Sequence, residues 1–440
     1  MSKNTLNIGE IRIGTLFDGN EATPELTANL ELDETGILLS CPWGPGESSV
    51  FMHWFLNNVN FNHEVPTELK NIPSVLHFHD SNGPVQLIGC RSAGFHTDLL
   101  SGRGIGKIRA EFAVFNGSPL SSFDFVHGMR SNLKGLRKWI GRTSIRLVQP
   151  PHDESYEFSI KQFEVVTIPG NPEVTFRGIP RFQKDENGVQ LFDDSVLQTR
   201  SEKLSSLHEH LVVHEAIGDL LSISSWHFED IEVKALMRID SPHASLGQVA
   251  NGEKWNEAIR PLIKDSTNQK QDNRNHFIEF DSIGELGVET WLKIHRDYSR
   301  AIRPILGSLG MKDAAIEVQF AQLCFGLEAL GFLLKAESDG ETAAKSRKFT
   351  FEKRLHLIAE QISAALPFDC DVEFRAIANS YNGIKHANRE FPELISSANS
   401  WRVGVLLFRM WAATKVGMPS SKLEKLVSID GFSNEFRLAT

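Results

Sequence analysis

The chain reads as an α+β protein, with an N-terminal antiparallel, β-rich, sandwich-like domain followed by a C-terminal all-α helical bundle. Three observations lead there. From residue 8 to about 240 apolar residues alternate with polar ones at a period of two. Turn-forming Asx-Gly dipeptides punctuate that stretch. After about residue 290 the apolar period becomes 3.6. At 440 residues the chain exceeds what one hydrophobic core usually serves, which sets the expected division at 1–245, a connecting segment at 246–290, and 291–440.

The first half is built from alternating runs. Ile11 and Ile13 alternate with polar neighbours, as do Leu26, Ala28, Leu30 and Leu32. Ile108, Ala110, Phe112 and Val114 repeat the pattern, and so do Tyr156, Phe158 and Ile160. Alternation places one face of a strand on a core and the other in water. Asp18-Gly19, Asn82-Gly83, Asn116-Gly117 and Asn187-Gly188 supply turns, because these residues tolerate positive φ. A helix is expected within residues 201–224, with Leu204, Leu207, Leu211, Ile217 and Leu221 toward one side. Residues 246–275 are polar and weakly patterned, as expected of a surface connection.

In the second half, "WLKIHRDYSRAIRPILGSL" is expected to be helical as far as Pro304. Ile316, Phe320, Leu323, Leu327, Leu330 and Leu334 form one stripe of a long helix. Thr350 is an N-cap candidate, with Glu352 in the first turn, for a helix that stops before Pro367. "CDVEFRAIANSYNGIKHAN" and "ELISSANSWRVGVLLFRMWAATKVG" give two more helices, so an antiparallel bundle follows.

Composition excludes several function classes. The net charge of −10 argues against a generic nucleic-acid coat or an anionic-membrane binder. The charge is uneven, however: residues 301–440 carry about 17 Lys+Arg against about 16 Asp+Glu, leaving room for a local basic site. Cys41, Cys90, Cys324 and Cys370 are widely separated and form no C-x-x-C pair, so neither a disulfide framework nor a structural zinc site is expected. The N-terminus lacks an apolar signal core, and "VGVLLFRMWAA" is interrupted by Arg409 and too short to span a bilayer. A cytoplasmic location without membrane contact is the expectation.

Candidate chemistry concentrates in "NSYNGIKHANRE", residues 379–390. On a helical wheel Phe374, Ile377, Ala378, Tyr381 and Ile384 form a core stripe. Arg375, Asn379, Asn382, His386 and Arg389 gather opposite, within about 80°. An imidazole flanked by an amide and guanidinium groups suits RNA cleavage without a metal or other cofactor. The 2′-hydroxyl must lose a proton, the departing 5′-oxygen must gain one, and the charge on phosphorus needs a cation. Solvated helix faces also collect Asn, Arg and His, and that plainer reading stays open.

The same segment resembles the active helix of the HEPN superfamily, whose signature is Arg, four to six residues, then His ("RNxxxH"). "YNGIKHA" matches its tail, with Asn382 and His386 in register. "FGLEALGF", with Glu328, and "FTFEKRLHLI" resemble the neighbouring family helices. In the first half "GRGIGKIRAEFAVFNG" and "FVHGMRSNLKGLRKWIG" are similar to an ApeA-type N-terminal domain. The resemblance implies an ApeA-like HEPN protein of bacterial anti-phage defence, one that cleaves RNA (tRNA among the candidates) in abortive infection. It further implies a homodimer or higher oligomer released by a phage-derived trigger. One departure stands out: positions 379, 380 and 381, where the family Arg would fall, hold Asn, Ser and Tyr. Arg389 or Arg375, reaching His386 of a second copy, is the expected substitute. Lys385, Arg347 and Lys348 are expected to bind RNA, within the basic run Lys345, Arg347, Lys348, Lys353 and Arg354. A chain that keeps the fold without catalysis, serving as an RNA-binding or dimerising scaffold, is the alternative.

Other motifs carry less. His210 and His214 stand at i, i+4 on the expected helix, a zinc-compatible spacing, but H-E-x-x-H is not completed and no third ligand is indicated. His77 and His79 share a strand face. "SGRGIGKI" departs from a P-loop at Ser101 and Ile108 and reads better as a tight hairpin.

Overall fold

A computed structural model describes residues 4–437 except 22, 24, 45–53, 56–70, 99, 119–120, 149–156, 162, 164, 187, 241–242, 246–247, 251–252, 262–274, 312 and 340–348. Fourteen strands hydrogen-bond in one antiparallel order, from β12 (Val166–Ile168) through β13 (Glu173–Asp185), β14 (Gly188–Ser206), β9 (Phe125–Leu133), β15 (Ile231–Met237) and β18 (Trp255–Ile259). The order continues through β8 (Phe112–Phe115), β5 (Gly83–Ile88), β4 (Val75–Asp80), β1 (Ile11–Phe17), β2 (Leu26–Asp33), β3 (Gly36–Trp43), β7 (Arg103–Ala110) and β6 (Arg91–Asp98). Two small ribbons stand apart, β10 (Ile145–Val148) with β11 (Glu157–Ile160), and β16 (His243–Ser245) with β17 (Gln248–Ala250). The helices are α1 (Leu136–Ile140), α2 (Leu207–Ser225), α3 (Phe280–Asp297), α4 (Ser299–Leu309), α5 (Ile316–Asp339), α6 (Phe351–Ala359), α7 (Cys370–Lys385), α8 (Leu394–Lys415) and α9 (Ser420–Ile429). The α+β order expected from the two periods is the one observed.

Several elements differ in detail. In β1 the exposed residues are Ile11 and Ile13, while Arg12 is buried and forks onto Asp80, with Nε–Oδ2 at 2.8 Å and Nη2–Oδ1 at 2.7 Å. A bidentate, charge-assisted pair is strong enough to override apolar alternation on a short strand. The helix expected from residue 201 begins at Leu207, and Leu204 is still in β14. Its start is set by a capping box, in which Ser206 accepts from the Glu209 N–H and Glu209 reaches back to the Ser206 N–H. Pro304 lies inside α4, because the chain breaks earlier, at Tyr298 (φ −108°, ψ 17°). The segment 246–290, read as a connection, contributes β18, which pairs with β15 on one side and β8 on the other. Only Asn256 and Ala258 of that strand are buried, too short a pattern to stand out in sequence. "SGRGIGKI" forms the turn and first residues of the β6–β7 hairpin, Asp98 facing Arg103.

The largest apolar core joins sheet to helices. It runs from Val166, Phe176 and Leu197 through Ile217 and Leu221 of α2 to Trp291, Phe374 and Trp411. Ile316–Glu337 is long and apolar enough to cross a membrane, yet its Phe320, Leu323, Leu327, Leu330 and Leu334 lie in this core. At the junction Trp139 donates from Nε1 to the Ile278 carbonyl at 2.7 Å, and its ring meets Phe176 and Phe280 edge-on. Arg409 of α8 is tied into the same junction. Its guanidinium donates to the carbonyls of Ile223 (3.1 Å) and Ser224 (3.0 Å) at the end of α2, and to Asp430 at 2.8 Å. It also lies over the rings of Phe277 and Phe432. An unpaired guanidinium here would cost several kcal/mol, and these contacts offset that cost.

Candidate functional site

The residues singled out in 379–390 lie at the C-terminal end of α7. Asp369 caps its start by accepting from the Asp371 and Val372 N–H groups. Phe374, Ile377, Ala378 and Tyr381 are buried, as the core stripe requires, and Asn379 is exposed. The helix ends at Lys385, and His386 is its C-cap, with extended backbone (φ −121°, ψ 111°). The expectation that His386 and Arg389 share a helical face is therefore corrected. The physical reason is Gly383. A Cβ there would stand 2.4 Å from the Glu390 carbonyl oxygen and 3.1 Å from Pro392, so the missing side chain lets the departing chain fold back onto the helix.

The fold-back brings two of the candidates together by another route. The His386 N–H donates to the Asn382 carbonyl at 3.0 Å, closing the last helical turn. The Arg389 N–H donates to the His386 carbonyl, also at 3.0 Å, closing a turn whose end Cα atoms lie within about 7 Å. His386, Lys385 and Arg389 are exposed, while Asn382 is half-buried. Carbonyls at a helix C-terminus repel a phosphate, and Lys385 in the last turn, with Arg389 just beyond, offsets that field. Lys385 Nζ also sits 5.4 Å above the centre of the Tyr381 ring.

Arg375 is elsewhere. It lies eleven residues before His386, roughly 16 Å along the axis. Its Nε is 3.7 Å from a Glu352 carboxylate oxygen on α6. Arg354, placed in the basic run by sequence, is buried and donates to Glu328 of α5 at 3.0 Å, so it belongs to the core side of α6 and not to an exposed patch. Its phase could have revealed this: Phe351, Arg354, Leu355 and Ile358 follow helical spacing and pack inward. Arg347, Lys348 and Lys345 fall outside the described residues.

Where the HEPN pattern has its Arg, Ser380 and Tyr381 point inward. The Tyr381 ring packs edge-on to Phe325 and Phe351, and its hydroxyl has no hydrogen-bond partner among the described residues. Burial first, then the nearby Glu328 carboxylate, pushes this phenol well above its usual range. It supplies no cation.

The other histidines are placed differently. His210 and His214 are fully buried on α2, and Thr199 Oγ1 hydrogen-bonds with both, at 2.8 Å to His210 Nδ1 and 2.9 Å to His214 Nε2. Ser131 Oγ meets His214 Nδ1 at 2.5 Å. Burial lowers His210 to about 4 and His214 to about 3. Among the described residues no cluster of three or more His, Cys, Asp or Glu could hold a metal ion. His77 stacks on Phe17, and His79 is exposed.

A family model, ApeA N-terminal domain 1, matches residues 8–293. The chain belongs to this family. The ApeA match covers the whole fourteen-stranded sheet, α2 and most of α3, and it associates the chain with anti-phage defence. It ends before α7, so the site just described lies outside it. No curated protein and no solved structure matches the chain significantly.

Proposed function

We propose that this ApeA-family chain is a metal-independent endoribonuclease effector of anti-phage defence, active as a homodimer or higher homo-oligomer. The observation that carries this reading is the turn at the end of α7, which sets an exposed imidazole between Lys385 and Arg389, one turn beyond Asn382. His386 would take the proton of the 2′-hydroxyl or return one to the 5′-oxygen. Arg389, from the same copy or the facing one, would hold the phosphate, and Arg375 of a second copy is a further candidate. Asn382 would orient the ribose or phosphate, and Lys385, Lys348 and Arg347 would follow the RNA backbone. The substrate is RNA in a single-stranded or looped region, tRNA included, where in-line geometry is accessible. The sheet half would restrain this end until a phage-derived trigger arrives.

The decisive experiment compares the full chain with His386→Ala on a panel of tRNAs and unstructured RNAs, in EDTA. Cleavage leaving 2′,3′-cyclic phosphate ends, and lost in the variant, is expected. Cleavage that needs magnesium, or that survives the substitution, would refute the reading. One observation favours a second reading, a non-catalytic RNA-binding or dimerising scaffold: the customary Arg positions carry no cation, and Tyr381 is sealed in the core. RNA capture without turnover, unchanged in His386→Ala, would select it.

A further inference from the structure

A recess of about 460 Å³ lies where the sheet half meets the start of α3, far in sequence from the His386 turn. Its walls carry Lys134, Arg137, Lys138, Arg142, Thr143 and His276, and no carboxylate lines it among the described residues. In a chain of net charge −10, four cationic side chains and an imidazole around one concavity are a local reversal of sign.

The cations are brought together by the fold. Lys134 follows β9, Arg137 and Lys138 ride on α1, and Arg142 follows the left-handed Gly141 (φ 69°) that ends it. α1 itself is fixed from beneath by buried Leu136, Trp139 and Ile140. His276 enters from the chain leading into α3, held 3.3 Å from Ser224 Oγ. Two neighbouring carboxylates, Asp193 and Glu229, are engaged at the rim, and a third, Asp281, stands close by. Asp193 accepts from the Ser144 N–H and Thr143 Oγ1 and sits 3.4 Å from Arg137 Nε. Glu229 is buried and accepts from the Gly135 N–H. Asp281 comes within 3.8 Å of where a Cβ on Gly141 would stand. Lys134 and Lys138 are exposed, and no carboxylate pairs with either among the described residues.

We propose that this recess binds a small phosphate-bearing molecule with at least two phosphate groups, of the size of a nucleoside polyphosphate. The volume falls in the range of small-molecule sites, whereas a long polyanion would have to continue across an acidic protein. Flexible lysines supply point charges for phosphate, and Arg137 and Arg142 supply planar donors. A ligand here would also touch a relay toward the helices. Ser224 Oγ, beside His276, donates to the Ile278 carbonyl, and the Ser224 carbonyl accepts from Arg409 of α8. Binding therefore reports to the junction between sheet and bundle. The proposal does not depend on whether His386 cleaves RNA.

The test is calorimetric titration of the full chain with inorganic tripolyphosphate and with ATP, against Lys134→Gln/Lys138→Gln. A control, Lys184→Gln/Lys203→Gln, makes the same charge change at exposed strand positions. Saturable binding at one site is expected, weakened by about tenfold or more in the first variant and unchanged in the control. Far-UV circular dichroism and thermal melts establish that both variants are folded. Absence of binding to the native chain, equal loss in the two variants, or binding confined to RNA oligomers would each overturn the proposal.

Discussion

Two places in this molecule at which histidines drew attention, one on α2 and one beyond α7, are opposites. On α2, His210 and His214 are sealed in the core and hydrogen-bonded with Ser131 and Thr199. Beyond α7, His386 stands in solvent on a turn between Lys385 and Arg389. The first pair has the more regular spacing and would attract a motif search. The second has an irregular backbone and stands open to a substrate. Regular spacing on a helix reports shared direction, and that direction is as often inward as outward. Accessibility at the second place comes from a helix that stops.

The contrast can be pressed from both sides. The largest effect is expected from His386→Ala, which should lower RNA cleavage by about a hundredfold or more, as for loss of a general acid or base, with a melting temperature close to native. Next comes His214→Ala. It leaves a cavity and strips Ser131 and Thr199 of a partner, so about 3 kcal/mol of stability should be lost, read by denaturant titration. Activity per folded molecule should hold in that variant. If the two phenotypes were exchanged, the roles assigned to the two places would be wrong.

Acid should sharpen the same distinction. The buried imidazoles titrate at about 4 and about 3 when folded, against 6.5 when unfolded. Below 6.5 the unfolded chain binds more protons, so the stabilisation is complete above that pH and declines as pH falls toward 4. The slope should approach about 1.4 kcal/mol per pH unit for each histidine, and His214→Ala should flatten it. Equal slopes in the two proteins would remove the buried pair from the acid response. The smallest effect is expected of Arg375→Gln. Its pairing with Glu352 is exposed, so stability should change by less than about 0.5 kcal/mol, measured by chemical denaturation. A pronounced loss of cleavage in that variant would favour its delivery to His386 of a second copy.

Much of the fold was legible because long apolar patterns average over local exceptions. The stripe from Phe320 to Leu334 and the sheet residues Ala28, Leu30 and Ile108 are buried as their periods require. Short elements were not legible in this way. On β1 a single Arg12–Asp80 pair inverts the face, and its partner lies sixty-eight residues away. On β18 two buried residues are too few to form a pattern. The start of α2 was encoded, in Ser206 and Glu209, by a signal stronger than the leucine that misled. In the candidate site, the core stripe of α7 was readable, but the stop at Lys385 was not. It depends on the Glu390 carbonyl crossing Gly383, a contact between backbone atoms that side-chain identities do not announce. Arg354 was misplaced for the converse reason: its charge suggested solvent, while its helical phase pointed to Glu328.

The grip of Arg409 on residues 223 and 224 has a temporal meaning. It joins positions 186 and 185 residues apart, so on the ribosome the end of α2 emerges long before the side chain that will tie it off. The Ser224 carbonyl already accepts from the Phe277 N–H, but the Arg409 bonds to both carbonyls and the apolar face of α2 await the final helices. A nascent chain halted early would carry an unfinished sheet half, vulnerable to proteases and chaperones. The last contacts of the ApeA portion thus wait on α8, which ties the maturation of the sheet half to that of the helices.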